Sequence, residues 1–199
     1  MYAWNMLFRA GALIAVAVVL SGCGAMKAQN PDGDLSPING IANESADHLI
    51  LFGADVVGYF TENRYTQGSP GYRSDYEGVT FHFASTENKA LFDANPTAYL
   101  PQYGGYCANG ISFGIPWGGN AEDFIVHDGK LYIFGGELSR QAFLLDRDGN
   151  LALADKYWEE EIQGNNSFWQ RTSRLIIRVP HYQTGDEQAA AVRNNLGSE

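Results

Sequence analysis

The stretch Thr80-Phe81-His82-Phe83-Ala84-Ser85-Thr86-Glu87 joins a strand to a helix, and it decides the fold class. Phe81 and Phe83 alternate with polar residues, so both aromatic side chains point to one face of a strand. Ser85 is a favourable helix N-cap, and Glu87 places a carboxylate in the first turn, where the helix dipole favours it. A strand followed directly by a capped helix predicts an α+β fold with short antiparallel hairpins and packed helices.

Two hairpin turns extend this pattern along the chain. Tyr76-Glu77-Gly78 precedes the strand, and Asp128-Gly129 separates the apolar runs 124–126 and 131–134. Gly at the second turn position readily takes the positive φ of a tight turn. The remaining predictions are a strand at 49–52, a turn at 68–71, and helices at 138–145, 151–162 and 184–195. We find no internal repeat in the sequence.

Charge and cysteine content exclude several classes of function. The 199-residue chain has 13 Lys and Arg against 23 Asp and Glu, a formal net charge of −10. An acidic chain repels phosphate backbones, so no nucleic-acid partner is expected. Two cysteines, Cys23 and Cys107, are too few for a disulfide scaffold or a four-thiolate zinc site.

The N-terminal segment indicates export. Arg9 precedes an apolar run over residues 10–20, which has the length of a signal-peptide core and is short for a membrane span. The run ends in Leu20-Ser21-Gly22-Cys23, which resembles the bacterial lipobox. That resemblance implies acylation of Cys23 and a lipid-anchored protein of the cell envelope. The other interpretation is an N-terminal anchor helix with an incidental cysteine.

Sorting within the envelope depends on the residue after the lipidated cysteine. Gly24 resembles the residues that direct lipoproteins to the outer membrane of Gram-negative bacteria, where the protein would face the periplasm. The predicted organisation is a signal peptide (1–22), a flexible tether (23–47), the folded domain (48–163) and a helical C-terminal extension (164–199). Two roles remain open for Arg171, Arg174 and Arg178 in the extension, namely docking on acidic residues of the domain or contact with anionic lipid.

A family resemblance covers residues 53–160. It is carried by 56–60, Gly68-Ser69-Pro70-Gly71-Tyr72, Tyr76-Glu77-Gly78, Phe83-Ala84-Ser85, 92–96, Tyr99, Tyr103-Gly104-Gly105-Tyr106-Cys107-Ala108 and Asp128-Gly129-Lys130-Leu131-Tyr132. This pattern resembles the YHS domain family in its exported form. The resemblance implies a small α+β unit of a kind often found beside metal-handling proteins. Where family members carry soft-metal cysteines, this chain has Ala84 and Asn88, so that ligand set does not carry over.

Cys107 is the main candidate functional residue, in a glycine-rich loop with Tyr103 and Tyr106 as candidate pocket walls. Its thiol suits a ligand contact or redox chemistry, and the plainer interpretation is a buried small side chain. His82 and His127 are candidate metal or ligand contacts, or else hydrogen-bonded surface residues. A site made by Cys107 and His82, completed by a carboxylate or His127, would suit copper or zinc.

Three functions stay open at this stage. The leading hypothesis is a non-enzymatic binding module for a metal or small ligand at the loop 103–108. The alternative is an envelope interaction or structural lipoprotein without a small ligand. The third is a thiol enzyme with Cys107 as nucleophile and His82 as base. Because the sequence contains no complete catalytic motif, we expect that the protein is not an enzyme.

Overall fold

The computed structural model describes residues 49–197. The predicted signal peptide, the tether 23–47 and the lipidation residue Cys23 lie outside this range, as do residues 198–199. Within it, helices pack around two separate two-stranded antiparallel sheets, which confirms the predicted α+β class. No helix among these residues is long and apolar enough to span a bilayer.

The described residues form four strands and seven α-helices. The strands are β1 (Ser69–Tyr76), β2 (Val79–Phe83), β3 (Asn120–His127) and β4 (Lys130–Phe134). The helices are α1 (Gly58–Thr61), α2 (Thr86–Ala94), α3 (Ala108–Ile111), α4 (Glu137–Leu144), α5 (Arg147–Tyr157), α6 (Ser167–Ile176) and α7 (Gly185–Leu196). Short 3-10 turns occur at Leu51–Gly53, Pro96–Ala98 and Gln102–Gly105, and a π turn at Trp158–Ile162 follows α5.

Most of the predicted elements are confirmed, with two errors at loop positions. Ser85 caps α2, because its hydroxyl accepts a hydrogen bond from the Asn88 N–H at 3.1 Å. The predicted strand at 49–52 is wrong beyond its first two residues, since the backbone turns left-handed at Leu51–Gly53. The predicted turn at 68–71 is also wrong from Ser69 onward, where β1 begins and a bulge absorbs the irregular sequence.

The two hairpins have the same register and the same bulge. In the first, Ser69 pairs with Phe83, and pairing resumes after a bulge through to Tyr76–Val79. In the second, Asn120 pairs with Phe134, and pairing resumes after an equivalent bulge through to His127–Lys130. A further residue bridges each hairpin in parallel, as shown by the pairs Leu49–Thr80 and Pro101–Leu131.

The loops that enter the two hairpins also match. Residues 51–53 and 103–105 are both left-handed, with φ of 47–84° and 54–82° respectively. Gly68 and Gly119 pass equally close to neighbouring backbone: a Cβ would lie 2.5 Å from the His82 carbonyl or from the Gly105 oxygen. Each hairpin is followed at the same distance by a helix, α2 or α4. Residues 49–94 and 101–144 are therefore two copies of one unit, here called the first and second repeats.

Sequence analysis misses this repeat because few residue identities survive in it. The shared residues are four glycine pairs and two phenylalanine pairs, namely Gly53/Gly105, Gly58/Gly110, Gly68/Gly119, Gly78/Gly129, Phe83/Phe134 and Phe92/Phe143. Except at Gly58, these positions require a positive φ, a close approach of the backbone or a buried ring, so they are the ones least free to vary.

The two repeats share their hydrophobic interior. One core cluster is built mainly on the first repeat, but it includes Ala121, Leu131 and Ile133 from the second. The other cluster packs the second repeat against α5 and the C-terminal residues. A buried hydrogen bond of 2.6 Å from the Tyr59 hydroxyl to the Ala121 carbonyl also joins the repeats.

The C-terminal helices dock on the second repeat. Arg174 forms an ion pair with Glu161, as predicted for docking of the extension, whereas buried Arg171 donates to the Pro116 carbonyl. His181 Nε2 lies 2.8 Å from the Ser112 carbonyl oxygen. These contacts bring the start of α7 beside the loop that carries Cys107.

Candidate functional site

The Cys107 side chain caps a single-turn helix and is almost fully buried. The exposed fraction of Cys107 is 3%, and its Sγ accepts a hydrogen bond from the Gly110 N–H of α3 at 3.4 Å. The Ser139 hydroxyl, on the first turn of α4, lies 3.1 Å from the same sulfur. The backbone of Cys107 is fixed by its own N–H, which donates to the Trp117 carbonyl at 2.9 Å. The thiol is thus held between the starts of two helices.

A cleft of about 470 Å³ opens beside this thiol, and we call it the Cys107 cleft. Three segments line it: the Cys107–Asn109 and Trp117–Gly118 loop, the start of α4, and the start of α7. Its lining residues are Cys107, Asn109, Trp117, Gly118, Gly135, Gly136, Glu137, Leu138, Ser139, Gln183, Gly185 and Gln188. The volume lies within the usual range for small-molecule pockets.

Amide side chains join the walls of the cleft. The Asn109 side chain donates to the Gln188 side-chain oxygen at 2.9 Å, and Gln188 donates in turn to the Gln183 carbonyl at 3.3 Å. The α7 wall is stabilised by a capping box, in which Thr184 and Glu187 each bond the other's backbone N–H. Residues of the C-terminal extension therefore complete a site that begins in the second repeat.

The first repeat has a carboxylate where the second has the Cys107 thiol. Asp55 is fully buried, and its Oδ1 accepts hydrogen bonds from the Val57 N–H at 2.9 Å and the Gly58 N–H at 3.3 Å. Its Oδ2 accepts from the Ala84 N–H at 2.8 Å and from the Asn88 side chain at 2.7 Å. Both carboxylate oxygens are thus fully engaged within the fold.

Residue pairs Asp55/Cys107 and Asn88/Ser139 occupy equivalent positions of the two repeats. Asp55 and Cys107 each donate their backbone N–H across the loop, to the Thr66 and Trp117 carbonyls at 2.9 Å. Asn88 and Ser139 each stand on the first turn of the helix after the hairpin. Sequence reasoning missed Ser139 as a partner of Cys107, and the repeat is the signal that could have found it.

Tyr103 and Tyr106 do not line the Cys107 cleft. Tyr103 faces a different cleft of about 350 Å³, where its hydroxyl donates to Asp155 at 2.7 Å. Burial, and then this hydrogen bond, raise the pKa of Tyr103 above its usual range. Tyr106 is fully buried in the core around the second repeat. The left-handed turn before Tyr106 sends the two rings to different places.

The two candidate histidines belong to other parts of the fold. His82 lies on β2 in the first repeat, beside Gly53, where an added Cβ would come within 3.2 Å of the His82 Nδ1. His127 ends β3, and its Nε2 lies 3.4 Å from the neighbouring Asp128 carboxylate. In the second repeat the counterpart of His82 is Ile133, and the backbone of Ile133 pairs with that of Cys107.

No metal-ligand cluster is formed by the residues that the structure describes. Among residues 49–197, no group of three His, Cys, Asp or Glu side chains is placed to hold a metal ion. The Cys107–His82 site with a carboxylate or His127 is therefore not assembled here. The groups that line the cleft beside the thiol are a hydroxyl, amides, backbone groups and one carboxylate, Glu137, which suit an organic ligand better than copper or zinc.

Comparison with known families identifies the first part of this fold. Residues 57–103 match the family model described as "YHS domain". The family likeness is to the YHS domain, over these residues alone. The predicted resemblance to the YHS domain is thereby confirmed, over a shorter range than residues 53–160, and its exported lipoprotein form stays a prediction. No curated protein and no solved structure matches the chain.

The residues matched by the family model do not include those that form the Cys107 cleft. The matched region covers most of the first repeat and ends at residue 103, before Cys107. Cys107, Ser139 and the α7 wall all lie outside it. The Cys107 cleft is therefore built by the second repeat and the C-terminal helices rather than by the matched region.

Proposed function

We propose that this protein is an exported, lipid-anchored YHS-domain protein that binds a small organic ligand in the Cys107 cleft. The observation that carries the proposal is the placement of the Cys107 thiol on the wall of a cleft of about 470 Å³, where the first repeat has a closed hydrogen-bond network. A pocket of this size that combines apolar surface with a few polar groups is typical of small-molecule binding sites. The lipid anchor rests on the lipobox pattern at Cys23.

The chemistry of the walls supports a ligand with both apolar and polar parts. Trp117 and Leu138 supply apolar surface, whereas Asn109, Gln183 and Gln188 supply amide groups. Such amides discriminate among ligands by hydrogen bonds, because a ligand that leaves them unpaired loses affinity. The proposal does not include catalysis: the described neighbours of the thiol include no histidine that could act as its base.

Native mass spectrometry tests this proposal directly. The full sequence is expressed so that export and processing take place, and the protein is purified from the membrane fraction without chelator. We expect the wild-type protein to carry a non-covalent mass excess, with acyl chains on Cys23 in the peptide map. Elemental analysis of the same sample separates a metal from an organic ligand.

A matched pair of variants at one position locates the ligand. Gly185 lines the cleft and has open space around an added Cβ, so Gly185→Phe adds bulk to the cleft from an unobstructed Cβ. We expect Gly185→Phe to lose the mass excess and Gly185→Ala to keep it, with similar melting temperatures. An equal mass excess in both variants would place the ligand elsewhere. A wild-type mass equal to that of the acylated polypeptide would favour an interaction lipoprotein without a ligand.

A further inference from the structure

The repeat shows what kind of group the Cys107 environment is shaped to hold. In the first repeat, four N–H donors hold the two oxygens of the Asp55 carboxylate, and Asp55 has no exposed surface. A buried carboxylate is stable only when its lone pairs are satisfied in this way. The first repeat therefore surrounds an anion that has two oxygen atoms with hydrogen-bond donors, an arrangement we call a cradle.

In the second repeat the equivalent positions surround a single sulfur atom, and two of them contact it. Gly110 is the counterpart of Gly58 and donates to the sulfur at 3.4 Å, and Ser139 replaces Asn88 at 3.1 Å. Gly135 stands in the place of Ala84, whose N–H binds Asp55. One atom thus occupies a site whose counterpart is filled by two oxygens.

The second repeat also leaves more room around this atom. Gly135 has no side chain, and a Cβ there would lie 3.5 Å from the Cys107 sulfur. Gly136 follows where the first repeat has Ser85, and both glycines line the Cys107 cleft. The cleft therefore connects an otherwise buried thiol to solvent, and it gives a small oxidant a path to the sulfur.

We propose that Cys107 is an oxidation site whose sulfinic acid form takes, in the second repeat, the hydrogen-bonding role that Asp55 has in the first. A sulfinate carries two oxygens and one negative charge, as a carboxylate does. The oxidant is a hydroperoxide. The modification needs no bound ligand, so it goes beyond the proposed function.

The oxidation proceeds in two balanced steps. The thiolate sulfur attacks the peroxide O–O bond, an S–O bond forms, and the leaving oxygen takes a proton to depart as water or an alcohol. The resulting sulfenate sulfur attacks a second peroxide in the same way, giving the sulfinate and a second water or alcohol. Each step oxidises sulfur by two electrons and reduces one peroxide.

One neighbouring charge opposes the anion. Glu137 lines the cleft at the start of α4, where the first repeat has uncharged Thr86. Its carboxylate accepts a hydrogen bond from Gln141 at 3.0 Å along the outer side of α4. We therefore expect the second cradle to stabilise an anion less than the first does, and Glu137→Gln to increase the yield of sulfinate.

Peroxide treatment of the full-length protein purified from membranes is the first test. We expect peptide mapping to show a gain of two oxygen atoms on Cys107, together with a rise in melting temperature of about 2–4 °C. Cys107→Ala under the same treatment should show no such rise, which controls for oxidation of other residues. An unmodified thiol, or oxidation to the three-oxygen sulfonic acid without stabilisation, would overturn the proposal.

Two substitutions test the cradle without any oxidation. Cys107→Asp installs the residue of the first repeat, and Cys107→Asn has nearly the same shape without the charge. A carboxylate buried in an unsuitable site destabilises a protein strongly. We expect Cys107→Asp to melt at or above the temperature of Cys107→Asn, and the reverse order would contradict the proposal. Because neither test involves a ligand, a failed ligand assay leaves both results interpretable.

Discussion

The two repeats have the same backbone but differ in what closes the space between the loop and the following helix. In the first repeat, Asp55 and Asn88 fill it with a completed hydrogen-bond network. In the second, Cys107 and Ser139 make a single contact of 3.1 Å, and a cleft remains beside them. The first repeat thus closes this space with paired polar side chains, whereas the second leaves part of it open as a cleft.

The largest effect should come from removing the carboxylate of the first repeat. Asp55→Ala leaves buried N–H donors without acceptors, so we expect a loss of about 3–5 kcal/mol in the free energy of unfolding. The equivalent change, Cys107→Ala, removes only one sulfur atom and should cost about 1 kcal/mol. Urea unfolding of both variants measures the difference. Similar losses would show that the two positions do not differ in the way described.

Substitution of Gly68 or of Gly119 by a residue with a side chain should destabilise the protein to a similar extent, because both glycines pass close to other atoms. A Cβ at either position would lie 2.5 Å from backbone or side-chain atoms of the hairpin. We expect Gly68→Ala and Gly119→Ala each to cost up to about 3 kcal/mol. Gly185→Ala is the control, because open space surrounds that position. If only one of the two substitutions destabilises the protein in urea unfolding, the repeats are not equivalent there.

A smaller contrast is expected between Asn88 and Ser139. Asn88→Ala removes a buried donor to a carboxylate, at a cost of about 2 kcal/mol. Ser139→Ala removes one contact with the sulfur of Cys107, which borders the cleft, and we expect a loss of about 0.5 kcal/mol. Thermal unfolding of the two single variants shows which one loses more stability. A larger loss for Ser139→Ala would contradict the view that the polar network of the first repeat is the more stabilising one.

The smallest effect concerns α7, which walls the cleft of the second repeat. Thr184→Ala removes the N-cap of this helix and should destabilise it by about 1 kcal/mol. Because α7 lines the cleft through Gly185 and Gln188, we expect faster alkylation of Cys107 in this variant than in the wild type. Alkylation kinetics under native conditions measure this. An unchanged rate would mean that α7 does not control access to the thiol.

The sequence predicts the local elements well because their signals are local. The Ser85 cap, the Asp128-Gly129 turn and the terminal helix each depend on a few adjacent residues, and all are present in the structure. The left-handed turn at Leu51–Gly53 was not predicted, since Leu51 and Phe52 adopt a conformation that such residues rarely take. Tertiary packing holds it there.

The candidate site was predicted only in part. Cys107 lies on a cleft, but its partners come from residues 117–118, 135–139 and 183–188, which are distant in sequence. Their proximity depends on the repeat and on the docking of α7, and a single sequence does not display either. Tyr103 shows the converse, since it is close to Cys107 in sequence but its ring lies in a different cleft.

Side chains of the second repeat fill part of the core of the first, and this limits where the chain can be cut into folded fragments. A fragment cut at the ends of the family match, residues 57–103, would lack Leu131, Ile133 and Ala121, which fill the interior of the first repeat. It would also lack Asp55, whose carboxylate joins the loop to α2. The stretch that a family model recognises is thus shorter than the piece of chain that can fold alone, and a truncated gene built on those limits should yield an insoluble product.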